Sequence, residues 1–145
     1  MQKNLNFAIV IYIYFCYNAY IKPKEATMSR TKDGFATYLF HEGTNYEAYK
    51  MFCPYPDTQD GVEGWSFAVW APNAQKVSVV GDFNEWQPDA TPMVKEYDGV
   101  WRTFIPGLEQ YANYKFAVTD QNGNNVFKCD PYAVHCETPP ATASK

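Results

Sequence analysis

The chain has 145 residues, enough for one ordinary domain but too few for two full-sized ones. Its net charge of −4, with no Lys/Arg cluster, argues against nucleic-acid binding, which normally requires a basic stripe. Its 4 cysteines form no C-x-x-C pair and it has only 2 histidines, so we expect free thiols, no metal site and no cofactor.

Residues 1–27 differ from the rest of the chain. They carry 3 Lys and 1 Glu, a net charge of +2, whereas residues 28–145 carry 9 basic and 15 acidic side chains, a net charge of −6. Residues 7–17 are all apolar or aromatic, as in a signal peptide, but no small-x-small cleavage site follows. The run is also shorter than the about 20 residues of a membrane span. Two interpretations stay open: an extension upstream of a true start at Met28, or a signal-like or membrane-surface segment.

Residues 28–60 are predicted to form a turn and a short helix that lead into the main domain. Thr44 and Glu47 have the T-x-x-E spacing of a capping box, in which each side chain satisfies an exposed backbone amide of the other residue. We expect the helix over residues 45–52. It ends at Pro54, because proline lacks the N–H group that a helix interior needs.

Residues 61–134 show short strands separated by turn residues. An alternating pattern predicts one strand over residues 65–71, with a buried face made of Trp65, Phe67, Val69 and Ala71. Further strands are predicted at 76–81, 99–105, 113–119 and 126–128. The Asn122-Gly123 pair predicts a hairpin turn, because both residues tolerate positive φ. This pattern is typical of a small antiparallel β-sandwich.

Residues 135–145 are predicted to be a linker. They are rich in Pro, Thr and Ala and have no apolar periodicity. A domain rarely ends in a Pro-rich segment of this kind, so we expect the linker to lead to a catalytic barrel that this chain lacks.

No set of residues indicates catalysis. The 15 carboxylates of the domain make chance pairs easy, and nothing places two of them about 5–9 Å apart across a sugar cleft, as glycoside hydrolysis requires. His41 beside Glu42 is a candidate base, but a histidine that packs at a turn or against a helix is the simpler interpretation.

The segment 81–86 is more informative. It places Trp86 just after a strand, where an exposed indole covers the apolar face of a sugar and Asn84 and Lys115 bind its hydroxyls. The alternative is that Trp86 closes the core.

Four separated motifs follow one another along the chain as Gly81-Asp82-Phe83-Asn84-Glu85-Trp86, Pro92-Met93, Gly99-Val100-Trp101 and Tyr114-Lys115-Phe116. They resemble carbohydrate-binding module family 48, an immunoglobulin-like sandwich that precedes the barrel of several α-amylase-superfamily enzymes and occurs in glycogen-binding regulatory subunits. Residues 38–46, 60–74, 128–133 and 140–144 resemble the start of α-1,4-glucan branching enzymes. The resemblance covers about residues 36–144. It implies an all-β, immunoglobulin-like antiparallel β-sandwich with a short N-terminal helical segment.

The resemblance also implies a function. Branching enzymes cut an α-1,4 link of glycogen or starch and transfer the piece to a 6-hydroxyl, with two carboxylates of the barrel. Those carboxylates are absent here, so no residue of this chain is assigned a catalytic role. The module is expected to contact glycogen or another α-glucan and the catalytic barrel of the same polypeptide. We expect a cytoplasmic location, with secretion or membrane association as the alternative that residues 7–17 leave open.

In glycogen-binding members of the family, two Trp rings and a Lys form the sugar platform. Trp86 matches the first Trp, Lys115 matches the Lys, and Phe127 falls near the position of the second Trp. Two alternatives to the branching-enzyme module remain at this point. One is a stand-alone glycogen-binding module, and the other is an immunoglobulin-like interaction domain that does not bind carbohydrate.

Overall fold

The computed structural model describes residues 34–145, so the predicted extension at 1–27 lies outside the described residues. Two short helices, α1 (Gly34–His41) and α2 (Tyr49–Phe52), come first. The strands that follow are β1 (Tyr55–Gln59), β2 (Val62–Trp70), β3 (Lys76–Gly81), β4 (Val94–Lys95), β5 (Val100–Pro106), β6 (Tyr114–Thr119) and β7 (Asn125–Lys128). No helix between residues 34 and 145 has the length and apolar character that a membrane crossing demands.

The strands form two sheets in which all neighbours are antiparallel. The first sheet has the order β1-β2-β5-β4, and the second has the order β3-β6-β7. Both sheets contribute to one core, whose buried members are Phe67, Ala74, Val77, Val79, Met93, Trp101, Ile105, Tyr114 and Phe116. Two antiparallel sheets around a shared core form the predicted β-sandwich, so the fold class is confirmed.

Strand β2 shows how the alternation in the sequence becomes a buried face. Phe67 lies in the core, and Trp65, Val69 and Ala71 pack against it, as predicted. Because β2 pairs with β5, Trp101 lies directly opposite Val69 and points to the same side of the sheet. Every strand predicted from the sequence is present, with small shifts at the ends.

The other face of the first sheet is also buried. Met51 and Phe52 from α2 pack with Ala68 of β2 and Val100 of β5 in a second apolar cluster. The Phe52 ring lies 4.8 Å from Phe40 of α1, between ring centroids. The helices therefore cover a sheet face that would otherwise meet solvent.

The helical region differs from its prediction. Helix α1 was not expected, and α2 covers only the last part of the predicted range 45–52. The capping-box prediction was wrong. The N–H group of Glu47 donates to Asn45 Oδ1 at 2.9 Å, and the Glu47 carboxylate pairs with Lys50 Nζ at 2.6 Å. The Glu47 carboxylate is thus engaged by the lysine three residues ahead, within its own turn.

Two edge strands were not predicted. Strand β1 contains Pro56 and pairs with β2 on one side only, which suits a residue that cannot donate to a neighbouring strand. It lies before residue 61, where the sequence analysis begins the sandwich. Strand β4 has two residues, too few for a periodic pattern.

The hairpin between β6 and β7 forms at the predicted place. Gly123 adopts φ of 84° and donates its N–H to the Asp120 carbonyl at 3.1 Å, and Asp120 donates to the Asn124 carbonyl at 3.0 Å. Asn122 precedes Gly123 in this turn, as the Asn-Gly signal indicated.

The end of the segment 135–145, which was predicted to be a linker, pairs with β6. Tyr114 and Ser144 exchange backbone hydrogen bonds of 2.9 and 3.0 Å. Ala143 and Ser144 are 3% and 0% exposed. An isolated bridge needs only one extended residue from each segment. The sequence of the C-terminal segment therefore shows no periodic pattern from which this contact could be predicted.

Candidate functional site

The site begins with the turn that follows β3. Asn84 Oδ1 accepts the Gly81 N–H at 2.9 Å, and Asn84 Nδ2 donates to the Val79 carbonyl at 2.9 Å and to Thr91 Oγ1 at 3.0 Å. Both amide hydrogens of Asn84 are therefore used inside the turn. The Asn84 side chain therefore stabilises the turn. Only one lone pair of its Oδ1 atom is left for a further partner.

Gly81 is needed where β3 meets the start of β6. Its backbone is extended, which any residue can adopt, but a Cβ atom there would collide with the Asn113 carbonyl oxygen and the Phe83 ring. Glycine at this position therefore allows the end of β3 to lie close to the start of β6, and the turn 82–86 begins there.

Trp86 leaves the turn in an unusual backbone conformation. Glu85 and Trp86 have φ of 54° and 58°, in the left-handed region that non-glycine residues seldom occupy. The half-buried Trp86 side chain belongs to neither apolar cluster. Its indole N–H donates to Asp82 Oδ1 at 2.9 Å, and Asn113 Nδ2 donates to the other oxygen of that carboxylate at 3.0 Å. Asp82 thus ties the Trp86 ring to the start of β6.

Lys115 and Phe127 share the outer face of the second sheet. Tyr114 and Phe116 point into the core, so Lys115 between them points outward. Phe127 lies opposite Ala117, which is two residues from Lys115 and on the same face. The Phe127 side chain is 44% exposed, enough to offer a ring to a ligand.

Lys115 also has a partner from the C-terminal segment. Its Nζ atom donates to Thr142 Oγ1 at 2.7 Å. Lys115 is half-buried and Thr142 is exposed, so this bond lies at the surface.

A buried polar cluster lies beneath this surface. The Tyr114 hydroxyl donates to Asp130 Oδ2 at 2.7 Å, and the Tyr132 N–H donates to Asp130 Oδ1 at 2.7 Å. The Asp130 N–H in turn donates to Ser144 Oγ at 2.9 Å. Burial raises the pKa of Asp130 to about 6, and the hydrogen bonds from Tyr114 and Tyr132 offset this only in part. Burial and the neighbouring Asp130 charge also raise the pKa of Tyr114.

The structure thus places the four residues predicted for sugar contact in different settings. It brings Lys115 and Phe127 to one face, links Trp86 through Asp82 to Asn113 before β6, and places Asn84 inside the turn. Sequence reasoning missed the residues that contact Trp86 and Lys115 directly or through a second side chain, which are Asp82, Asn113 and Thr142. The Asp82–Trp86 spacing of four was visible in the sequence. The pairing of Lys115 with Thr142 had no local signal, because 27 residues separate them.

The arrangement suits binding rather than bond cleavage. An aromatic ring, a lysine and a second exposed ring can cover the apolar face of a sugar and donate to its hydroxyls. His41, the candidate base, lies edge-on to Trp70 with 6.0 Å between ring centroids, in the packing role favoured for it.

These features define an immunoglobulin-like β-sandwich module. The family described as carbohydrate-binding module 48 (isoamylase N-terminal domain) matches residues 52–133, more than half of the chain. The chain belongs to this family.

Relatives and solved structures agree with that assignment. The chain is 47% identical over 109 residues to the 1,4-alpha-glucan branching enzyme GlgB of Protochlamydia amoebophila (strain UWE25), covering 74% of this chain and 15% of that protein. It is 46% identical over 109 residues to the GlgB of Butyrivibrio fibrisolvens, covering 74% of this chain and 17% of that protein. The chain therefore spans 15–17% of the length of these curated relatives. The pullulanase from Bacillus acidopullulyticus matches with a TM-score of 0.50 and 25% identity, over 64% of this chain and 11% of that protein.

Proposed function

We propose that this chain is a glucan-binding module that serves a glycogen branching enzyme and is not catalytic by itself. The proposal assigns the sugar contact to Trp86, Lys115 and Phe127, which we call the glucan face, and the observation that carries it is the shared outer side of Lys115 and Phe127. Lys115 and Phe127 share one side of the second sheet, and Asp82 ties the Trp86 ring to the adjacent strand.

The chemistry of the glucan face fits a neutral sugar chain. The indole of Trp86 stacks on the apolar C–H face of one glucose unit, and the exposed Phe127 ring offers a second stacking surface. The Lys115 ammonium has three N–H groups, and the Thr142 bond uses one of them. Two N–H groups are then available for sugar hydroxyls.

The role in a branching enzyme is supported by 44–47% identity to three GlgB proteins. In that role the module holds an α-glucan and leaves cleavage to the carboxylates of the barrel. The catalytic barrel of such an enzyme is its expected partner, and the cytoplasm is its expected location.

The test measures binding and branching on the same preparation of the 145-residue chain. We expect the chain to co-sediment with glycogen, to bind maltoheptaose in calorimetry, and to form no α-1,6 branches from amylose. A Trp86→Ala/Lys115→Met double variant is the matched control and should stay in the supernatant. Failure of the folded parent chain to bind either ligand would overturn the proposal. It would favour a module that only supports a barrel or contacts another protein.

A further inference from the structure

The C-terminal segment 136–144, called the strap below, folds back on itself before it reaches β6. The Glu137 N–H donates to the Ala143 carbonyl, and the Ala143 N–H donates to Glu137 Oε2, both at 2.9 Å. Ser144 forms isolated antiparallel bridges with both Cys136 and Tyr114. The strap is thus closed within itself, and Ser144 joins its backbone to the sheet.

Ser144 occupies a place on β6 that β7 leaves vacant. Strand β7 pairs with β6 only as far as Lys128 opposite Phe116, so Tyr114 lies beyond its end. Ser144 pairs with Tyr114 there and is fully buried. Since Thr142 is only two residues from this anchor, its hydroxyl is held close to Lys115.

We propose that Thr142 is a positioning residue for Lys115 in the glucan face. This inference rests on the proposed function, because it concerns how the same surface binds its ligand. Thr142 Oγ1 accepts a hydrogen bond from Lys115 Nζ at 2.7 Å and so restricts the lysine head group before any sugar arrives.

The physical reason lies in the flexibility of lysine. A free lysine side chain samples many rotamers, and binding a sugar hydroxyl must freeze them. A hydrogen bond already made in the free protein removes part of that cost, so the ammonium is preorganised for the ligand. The buried Ala143 and Ser144 next to Thr142 provide the rigid support that such a contact needs.

The experiment measures maltoheptaose affinity by calorimetry on the full chain and on Thr142→Val, Thr142→Ser and Lys115→Met variants. Valine keeps the shape of threonine and removes the hydroxyl, and serine keeps the hydroxyl. Loss of one hydrogen bond predicts binding weakened about threefold to tenfold for Thr142→Val, and affinity within about twofold of the parent for Thr142→Ser. In the Lys115→Met background, Thr142→Val should change the affinity no further.

The outcomes separate the inference from the function on which it rests. If Lys115→Met binds like the parent, the ammonium is no part of the site, and both the glucan-face lysine and its positioning fail. If Lys115→Met weakens binding but Thr142→Val leaves it unchanged or tightens it, only the positioning role is overturned. An equal loss from Thr142→Val in both backgrounds also overturns it, since the effect would not act through Lys115. Thr142→Ala repeats the test if the valine variant has a lowered Tm.

Discussion

The four tryptophans do not have equivalent surroundings, and Trp86 and Trp101 differ most clearly. Trp101 is 5% exposed, lies in the core, and donates its indole N–H to the Ala71 carbonyl at 2.8 Å. Trp86 is half-buried and lies outside both apolar clusters. The sequence analysis left core packing and sugar stacking open for Trp86, and its place outside the clusters favours stacking.

Replacement of Trp86 by alanine should affect binding more than stability. We expect glucan affinity to fall at least about fivefold, because a stacking ring is lost. The free energy of unfolding should fall by about 1 kcal/mol or less, as for side chains outside the core. Calorimetry with maltoheptaose and a thermal melt of the same sample measure the two effects.

Trp101→Ala is the control for this prediction. It removes a buried ring and should cost about 3–5 kcal/mol of unfolding free energy, a large share of the about 5–15 kcal/mol of an ordinary domain. If Trp86→Ala destabilises the chain as strongly as Trp101→Ala, the Trp86 ring is a core element and its assignment to the glucan face is wrong.

Asp130 predicts a pH dependence of stability. Its folded pKa of about 6 lies above its ordinary value of 3.8, so the folded state binds the proton more tightly than the unfolded state. The resulting stabilisation is fully present below about pH 4 and is lost as the pH rises through about 6. This contribution amounts to about 2 kcal/mol across that window.

The Asp130→Asn variant tests this linkage by urea unfolding at several pH values. The unfolding free energy of the variant minus that of the parent should rise by about 2 kcal/mol from pH 4 to pH 7.5, because the amide cannot ionise. Asp89→Asn, at an exposed position, is the control for the substitution of a carboxylate by an amide. A constant difference between Asp130→Asn and the parent would mean that Asp130 does not titrate in this range.

At the scale of elements, the helices and the strap extend the sandwich in two directions. Helices α1 and α2 cover one face of the first sheet, and the strap joins the open end of β6. Helix α1 has no fully buried residue, so its attachment depends on partly buried side chains such as Ala36 and Phe40. The helical layer is therefore anchored mainly by α2.

Phe52→Ala should show that α2 is part of the folded unit. Phe52 is 1% exposed and packs on Phe40 and Tyr132, so its loss should cost about 3–5 kcal/mol of unfolding free energy. Tyr38→Ala, on the exposed side of α1, should change it by about 0.5 kcal/mol or less. Urea denaturation of both variants gives the comparison, and similar small losses would indicate that the helices are not packed on the sheet in solution.

At the scale of the whole molecule, the net charge is −4 and the proposed ligand is neutral. Long-range attraction therefore contributes little to binding, and salt has no strong charge interaction to screen. The salt dependence of the affinity therefore distinguishes an α-glucan from a charged polymer as the ligand.

The expected consequence is an affinity that is nearly independent of ionic strength. The dissociation constant for maltoheptaose should change less than about twofold between about 50 and 500 mM NaCl. Titrations at both salt concentrations measure it. A tenfold loss of affinity at high salt would point to an ionic ligand and against the glucan assignment.

Much of the strand layout was predictable from local pattern alone. The alternation over residues 65–71 predicts a core-facing side because successive strand side chains point to opposite faces. The Asn122-Gly123 turn is predictable because positive φ is a property of those residue types. The four separated motifs between Gly81 and Phe116 suggested the family, which the match to residues 52–133 then established.

Only the tertiary structure decided which distant residues meet. The Asp82–Asn113 and Lys115–Thr142 contacts join residues 31 and 27 positions apart, and the Tyr114–Ser144 bridge anchors a segment without periodicity. The sequence by itself determined which faces are apolar and where the chain turns, because these depend on neighbouring residues. The partners of the polar side chains depend on how loops return the chain to a sheet edge, which no local pattern encodes.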